Sequence, residues 1–222
     1  MYHPSVDDER TTIRRSLEVQ LAAVRAAAYG LSDEQLRARP LASALSIAGI
    51  IKHCSFGLAG RLVQLEQPVA QPPRYEDFFA SFALTEEESF EQVLARYDEL
   101  VAQYLSALEQ VDLDAEVEVG PAPWYGRDEP APAALRYLLV QDLAEFARHA
   151  GHADLIREQI DGALAAGLLA AVEQLPPNPF VTPGGQIWAG ETVEGGRCRR
   201  SQRQTAVALV LWVPAPAAML QA

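Results

Sequence analysis

Cysteine is scarce in this chain of 222 residues, and so are long apolar runs. The two cysteines, Cys54 and Cys198, lie far apart, which argues against a disulfide framework and favours a reducing compartment. The longest apolar run, residues 205–220, is interrupted by Pro214 and Pro216, whereas a membrane-spanning helix needs about 20 apolar residues. The first residues show no basic segment followed by an apolar core, so we expect no signal peptide. The sequence therefore predicts a soluble, cytoplasmic protein with no membrane partner.

Basic residues are also fewer than acidic ones. The chain has 18 Lys and Arg against 30 Asp and Glu, a net charge of -12. Such a field repels polyanions, which argues against nucleic acid as a partner, and it concentrates metal cations near the surface. The sequence also lacks a Gly-rich phosphate loop, a G-x-S-x-G elbow and a dinucleotide fingerprint. Nucleotide-dependent and serine-hydrolase activities therefore receive little support.

Four segments carry the apolar spacing of helices. They span about 9–29, 43–66, 85–108 and 133–160. In the first, Ile13, Leu17 and Leu21 recur every four residues, as on one face of a helix. A short strand over 116–119 is the one sheet-like feature that we expect. The prediction is an all-α four-helix bundle, and the connections near 67–84 and 112–131 are long enough to cross it, so we expect a crossover.

Capping signals predict where some of these helices begin. Ser32 and Gln35 have the spacing of a capping box that opens a single turn, and Thr85 and Glu88 have the same spacing ahead of the third long helix. Pro132 suits the first turn of the fourth helix.

The character of the chain changes beyond residue 162. Residues 163–222 are rich in Gly, Pro and Ala and lack sustained periodicity, apart from a helical turn or two at 163–174. We therefore divide the chain into a four-helix bundle over 1–162 and an irregular or disordered C-terminal extension over 163–222.

Histidine is the residue type that points to chemistry. His53 lies within the second predicted long helix, and Glu145 and His149 lie four residues apart on the fourth. Residues with this spacing project from one face, so Glu145, His149 and His53 could share a divalent ion with open coordination positions. The alternative is equally simple, because Glu-x-x-x-His is a common helical ion pair and helical histidines often have only structural hydrogen bonds.

Other polar residues have simpler interpretations. Cys54 points about 100° away from His53 on a helix and is expected to be a small core residue. Cys198, among arginines, lies in the predicted extension. Tyr97 and Tyr104 are expected to pack in the core, and Arg148 and Arg157 are expected to pair with nearby carboxylates.

Two stretches resemble a known family. The sequence R-H-A-G-H-A-D-L-I-R-E at 148–158 is similar to the last-helix signature of the DinB/YfiT-like superfamily, above all its actinobacterial "mini-circle" branch. The sequence L-S-I-A-G-I-I-K-H at 45–53 is similar to the second helix of that branch, and Trp124 followed by residues 135–137 also fits. The resemblance covers roughly residues 9–162. The family that the chain resembles is related to mycothiol-dependent maleylpyruvate isomerase.

The resemblance implies a DinB-like bundle with a crossover and a metal site at His53, Glu145 and His149. His152 falls where many relatives place Gln or His, so it is a neighbour or alternate ligand. Zinc is the first expectation, and nickel, manganese and iron also suit these ligands. The implied activity is that of a metal-dependent thiol S-transferase or isomerase that uses a low-molecular-weight thiol of the mycothiol type.

Two departures from the family keep a second hypothesis open. Residues 56–61 lack the acidic residue and tryptophan that relatives often have after the helix-two histidine, and Gln141 stands where they often have histidine. The alternative is a non-catalytic bundle that binds a metal, a ligand or a partner, with a structural or vestigial site and a homodimer as one option. An enzyme with a small-molecule substrate needs an open cavity at the ion, whereas a structural site is closed by packed side chains.

Overall fold

The computed structural model describes residues 4–122 and 126–184. Trp124, Cys198 and the apolar run at 205–220, all named above, lie outside the described residues, and so does the N-terminal His3. Six helices and one two-stranded sheet are present among the described residues. The elements are α1 (Glu9–Ala26), α2 (Asp33–Arg37), α3 (Ile47–Gln64), α4 (Phe90–Ala107), β1 (Glu116–Val119), β2 (Ala131–Ala134), α5 (Leu135–Asp161) and α6 (Ala165–Val172). The predicted all-α class is confirmed.

The four long helices form a ring in the order α1, α4, α3, α5. The closest packing is between α3 and α4 and between α1 and α5, and the pairs α3–α5 and α1–α4 close the ring. Consecutive helices α1 and α3 are therefore diagonally opposite, as are α4 and α5. The connections 27–46 and 108–134 both cross the bundle, whereas 65–89 joins neighbours. Of the two connections that we expected to be long enough to cross, the one after α4 does so and the one after α3 does not, and the crossing between α1 and α3 was not expected.

Local sequence explains several helix ends. The Asp8 carboxylate accepts a hydrogen bond from the Thr11 amide at 2.7 Å at the start of α1. The predicted capping box of Ser32 and Gln35 is complete at α2. The C-terminal end of α5 is also explained locally. The helix is followed by Gly162 as its C-cap residue, and the φ of +75° at this position favours glycine.

Two predicted helix starts are wrong. Helix α4 begins at Phe90 and not near Thr85, because Arg37 binds the carbonyl oxygens of Thr85 and Glu88 at 2.9 and 2.6 Å. These carbonyls are thus engaged outside a helix. Pro132 lies in β2 opposite Glu118 of β1, and α5 begins only at Leu135. The short strand expected at 116–119 is confirmed and is antiparallel to β2.

Helix α3 lies at the centre of the core. Its apolar residues are buried around most of the helix, and the largest of them are Ile47, Ile50, Ile51, Leu58 and Leu62. Helix α3 contacts both α4 and α5, and three of its polar residues, His53, Ser55 and Arg61, are buried. This placement decides the environment of the candidate site.

The described part of the C-terminal extension begins with a helix. Helix α6 falls within the turns expected at 163–174 and packs against α1, where Ala163 and Leu168 are buried against Ala26. The division of the chain at residue 162 stays a prediction. Within the described residues, none of the helices combines the length and hydropathy needed to cross a bilayer.

Candidate functional site

The three predicted ligands and His152 lie where α3 faces α5. Glu145, His149 and His152 lie at i, i+4 and i+7 of α5 and so share one face. His53 of α3 and His149 are only 2% and 3% exposed, and their ring centroids are 5.1 Å apart. The rings of His149 and His152 are 6.0 Å apart. We call these four residues the histidine cluster.

Residues 78–82 surround His53 on the side away from the helix backbone. The Ser81 hydroxyl oxygen lies 2.7 Å from His53 Nδ1. The Phe82 ring stacks on the imidazole at a centroid distance of 3.9 Å, and Phe78 meets it edge-on at 5.6 Å. The ring of His53 is thus fixed by one hydrogen bond and two aromatic contacts, all from one short segment.

Gly49 allows this segment to lie against α3. A Cβ atom at position 49 would be 2.1 Å from the carbonyl oxygen of Phe82, a distance that no side chain tolerates. Sequence reasoning missed Ser81, Phe82 and Gly49 as parts of the site. The one signal in the sequence is the run of aromatic residues, Tyr75, Phe78, Phe79 and Phe82, in the connection after the second predicted long helix.

Three buried polar atoms of the histidine cluster have no hydrogen-bond partner among the described residues. They are Glu145 Oε2, His149 Nδ1 and His152 Nδ1. The other carboxylate oxygen of Glu145, Oε1, accepts a hydrogen bond from Arg148 at 2.9 Å. Buried polar atoms in native proteins normally have partners, and each exception requires an explanation. Three unpartnered polar atoms on one face of α5 indicate a candidate ligand-binding site.

Burial sets the charge of the histidine cluster. It lowers the pKa of His53 to about 3, with a smaller contribution from His149, and it lowers the pKa of His149 to about 4. Both imidazoles are therefore neutral at pH 7, the form that binds metals. Burial also raises the pKa of Glu145, although Arg148 opposes this shift.

Cys54 cannot supply a reactive thiolate. The residue is buried, as expected, and burial raises the pKa of its thiol, with Glu145 adding to the effect. A thiol reaction at the histidine cluster would therefore need a thiol from outside the described part of the chain.

The donor set of the histidine cluster fits a divalent cation. Neutral imidazoles and a carboxylate are suitable ligands, and the rings of His53 and His149 are near neighbours, with centroids 5.1 Å apart. Across residues 4–122 and 126–184, no group of three or more His, Cys, Asp or Glu side chains is placed so that it could hold a metal ion. Glu145 points one oxygen at Arg148 instead. The ligand set of His53, Glu145 and His149 stays a prediction.

A second buried polar cluster lies between the same two helices. Arg61 of α3 donates two hydrogen bonds to Asp142 of α5, at 2.8 and 2.7 Å, and a third to Gln64. Tyr104 of α4 donates to the same carboxylate at 2.8 Å, and Gln64 donates to the Glu118 carbonyl at 2.9 Å. We call Arg61, Gln64, Tyr104 and Asp142 the arginine cluster. Its members satisfy one another, so we interpret it as structural.

The remaining polar predictions agree with this interpretation. The Tyr97 hydroxyl donates to the Leu21 carbonyl at 2.8 Å, so both tyrosines are core residues. Arg157 forms two hydrogen bonds with Asp161, and Arg148 pairs with Glu145, as expected of both arginines.

A cavity of about 480 Å³ lies between α3, α4 and residues 71–81. Its lining is mixed: Phe56 and other apolar side chains stand beside Ser81 and beside Lys52, Glu88 and Arg96, which supply both signs of charge. Phe56 and Ser81 also contact His53. Its volume is in the range that accommodates small molecules, and Phe56 and Ser81 belong both to its lining and to the surroundings of His53.

Comparison with protein-family models matches residues 12–162 to the family described as Mycothiol-S-transferase, a DinB/YfiT-like family. The match covers well over half of the chain and includes α1 to α5 with both polar clusters. Comparison with the curated proteins finds no match.

Proposed function

The chain belongs to the mycothiol S-transferase family, and on this basis we propose that it binds a divalent metal through His53, Glu145 and His149 and joins a low-molecular-weight thiol of the mycothiol type to an electrophile. The family match supports the thiol as a small-molecule substrate. The observation that supports the metal is the set of unpartnered buried atoms on α5, among the described residues, beside a neutral, buried His53.

Each residue of the proposed site has a distinct task. His53 and His149 are neutral nitrogen donors held in a desolvated space, and Glu145 adds the one negative charge. Zinc is the first candidate, and nickel, manganese and iron remain alternatives. A divalent ion there would supply Lewis-acid stabilisation of a thiolate.

The proposed reaction has a simple balance. The thiol loses its proton to solvent, and its sulfur forms a bond to an electrophilic carbon of the substrate. In a substitution, the electron pair of the bond that breaks departs with the leaving group. In an addition, that pair takes up a proton at the neighbouring carbon. In an isomerisation, the carbon–sulfur bond breaks again after rotation, and the released thiolate regains its proton. The low acidity of the Cys54 thiol supports an external thiol as the nucleophile.

The first test measures metal content by elemental mass spectrometry on protein purified without a histidine tag. We expect near-stoichiometric metal in the wild type and none in His53→Ala or His149→Ala. The matched control is His3→Ala, which removes a histidine that no part of the proposal uses. Wild-type protein that neither contains metal nor binds added zinc, nickel or manganese would refute the metal site.

The second test follows thiol consumption with a panel of electrophiles. We expect loss of activity in His149→Ala and retention in His3→Ala. Activity that is unaffected by His149→Ala would refute the transferase proposal. Metal binding without any thiol reaction would favour the non-catalytic alternative. Cytoplasmic location and a homodimer stay predictions, which fractionation and light scattering can check.

A further inference from the structure

The Ser81 hydroxyl already donates its hydrogen to a backbone carbonyl oxygen. Ser81 Oγ lies 2.5 Å from the carbonyl oxygen of Phe78, and two oxygens this close repel one another unless a hydrogen lies between them. A serine hydroxyl has a single hydrogen. The hydroxyl therefore donates to Phe78 and has only lone pairs left for its second contact.

That second contact is His53 Nδ1, at 2.7 Å. Since Ser81 Oγ can only accept there, Nδ1 must carry the hydrogen. A neutral imidazole has one N–H, so Nε2 of His53 is left with its lone pair free. Metal-binding histidines commonly have this arrangement, in which the second ring nitrogen donates to a neighbouring oxygen and so fixes tautomer and orientation.

We propose that Ser81 is a positioning residue, which holds His53 in the Nδ1–H tautomer so that Nε2 is the nitrogen presented to an ion shared with His149. The tautomer follows from hydrogen-bond geometry alone, whereas its role toward an ion rests on the proposed function. Stacking of Phe82 and the edge of Phe78 restrict rotation of the ring, and the close approach at Gly49 keeps residues 78–82 in place.

The tautomer is tested by long-range ¹H–¹⁵N NMR on metal-free protein, in which the two nitrogens of each imidazole are distinguished by their couplings. Wild-type His53 should be the Nδ1–H form, and Ser81→Ala should give a mixture with the Nε2–H form. Ser81→Thr keeps the hydroxyl and should restore the wild-type pattern. The matched control is Ser55→Ala, because Ser55 is a buried serine of α3 whose hydroxyl bonds only its own helix, at the Ile51 carbonyl.

The role toward an ion is tested by zinc affinity on the same variants. We expect Ser81→Ala to weaken zinc binding by about 10- to 100-fold, and Ser81→Thr and Ser55→Ala to stay within about threefold of the wild type. An Nε2–H wild-type His53, or unchanged zinc affinity in Ser81→Ala, overturns the proposal. If the wild type binds no metal, the proposed function fails and the role of Ser81 toward an ion fails with it, while the NMR result still decides the tautomer.

Discussion

Helices α3 and α5 bury two polar clusters that differ in whether their buried polar atoms have hydrogen-bond partners. In the arginine cluster, the guanidinium of Arg61 and the carboxylate of Asp142 are partnered by one another and by Tyr104 and Gln64. In the histidine cluster, three buried atoms have no partner among the described residues. Burying polar groups costs free energy in both places, and only the first recovers that cost from its own side chains.

The difference indicates which cluster maintains the fold and which one carries function. A satisfied polar network fixes how helices pack, whereas unsatisfied atoms are tolerated where a ligand completes them. The arginine cluster should therefore control stability without affecting metal binding. The histidine cluster should control metal binding and reduce the stability of the metal-free protein.

The largest effect is expected from Asp142→Ala. This change leaves the buried Arg61 charge without its counter-charge, which should lower the free energy of unfolding by about 3–5 kcal/mol. Urea denaturation measures the loss. The matched control is Asp98→Ala, which breaks the half-exposed Arg25–Asp98 pair and should cost less than about 1 kcal/mol. Similar losses in the two variants would remove the distinction that we draw for the arginine cluster.

Added zinc should produce the next largest effect, in the opposite direction. An ion that binds only the folded state at 100 times its dissociation constant raises the free energy of unfolding by about 2.7 kcal/mol. We expect this increment in wild type and in Asp142→Ala, and its reversal by a chelator. Thermal unfolding with and without zinc measures it. An increment of the same size in His149→Ala would place the ion elsewhere.

A smaller gain is expected from His149→Leu in metal-free protein. Leucine removes a buried nitrogen that has no partner in the described structure and keeps most of the packing volume. Stability should rise by about 1 kcal/mol or stay unchanged, because an unsatisfied buried polar atom carries an uncompensated desolvation cost. Urea denaturation in the presence of a chelator measures it. A loss above about 2 kcal/mol would mean that His149 is structural.

The smallest effect is expected from Arg148→Gln. Arg148 occupies one oxygen of Glu145 and adds positive charge near the ion, but the pair is partly exposed and worth little. Zinc should bind about threefold more tightly to the variant, and the difference should shrink at high salt. Isothermal titration calorimetry measures both. Arg14→Gln, which removes the same charge from an ion pair on α1, is the control. Weaker zinc binding in Arg148→Gln would instead mean that Arg148 orients Glu145.

The sequence predicted the four long helices, although not every helix start, and it did not predict what surrounds His53. The apolar spacing of Ile13, Leu17 and Leu21 is local information, and it predicted α1 correctly. The start of α4 depends on Arg37, and the role of Ser81 depends on His53, 28 residues earlier. Such contacts between distant residues leave no local pattern, so spacing alone could not predict them.

The diagonal arrangement of the helices also affects the order of folding. Arg61 and Asp142 are 81 residues apart in the chain, and His53 and His149 are further apart still. Contacts at such separation form late, because the loop between them must close first. Neither cluster can close before α5 has been synthesised and has docked on α3. During synthesis, Arg61 and His53 therefore remain hydrated on an incomplete bundle until the fourth long helix covers them.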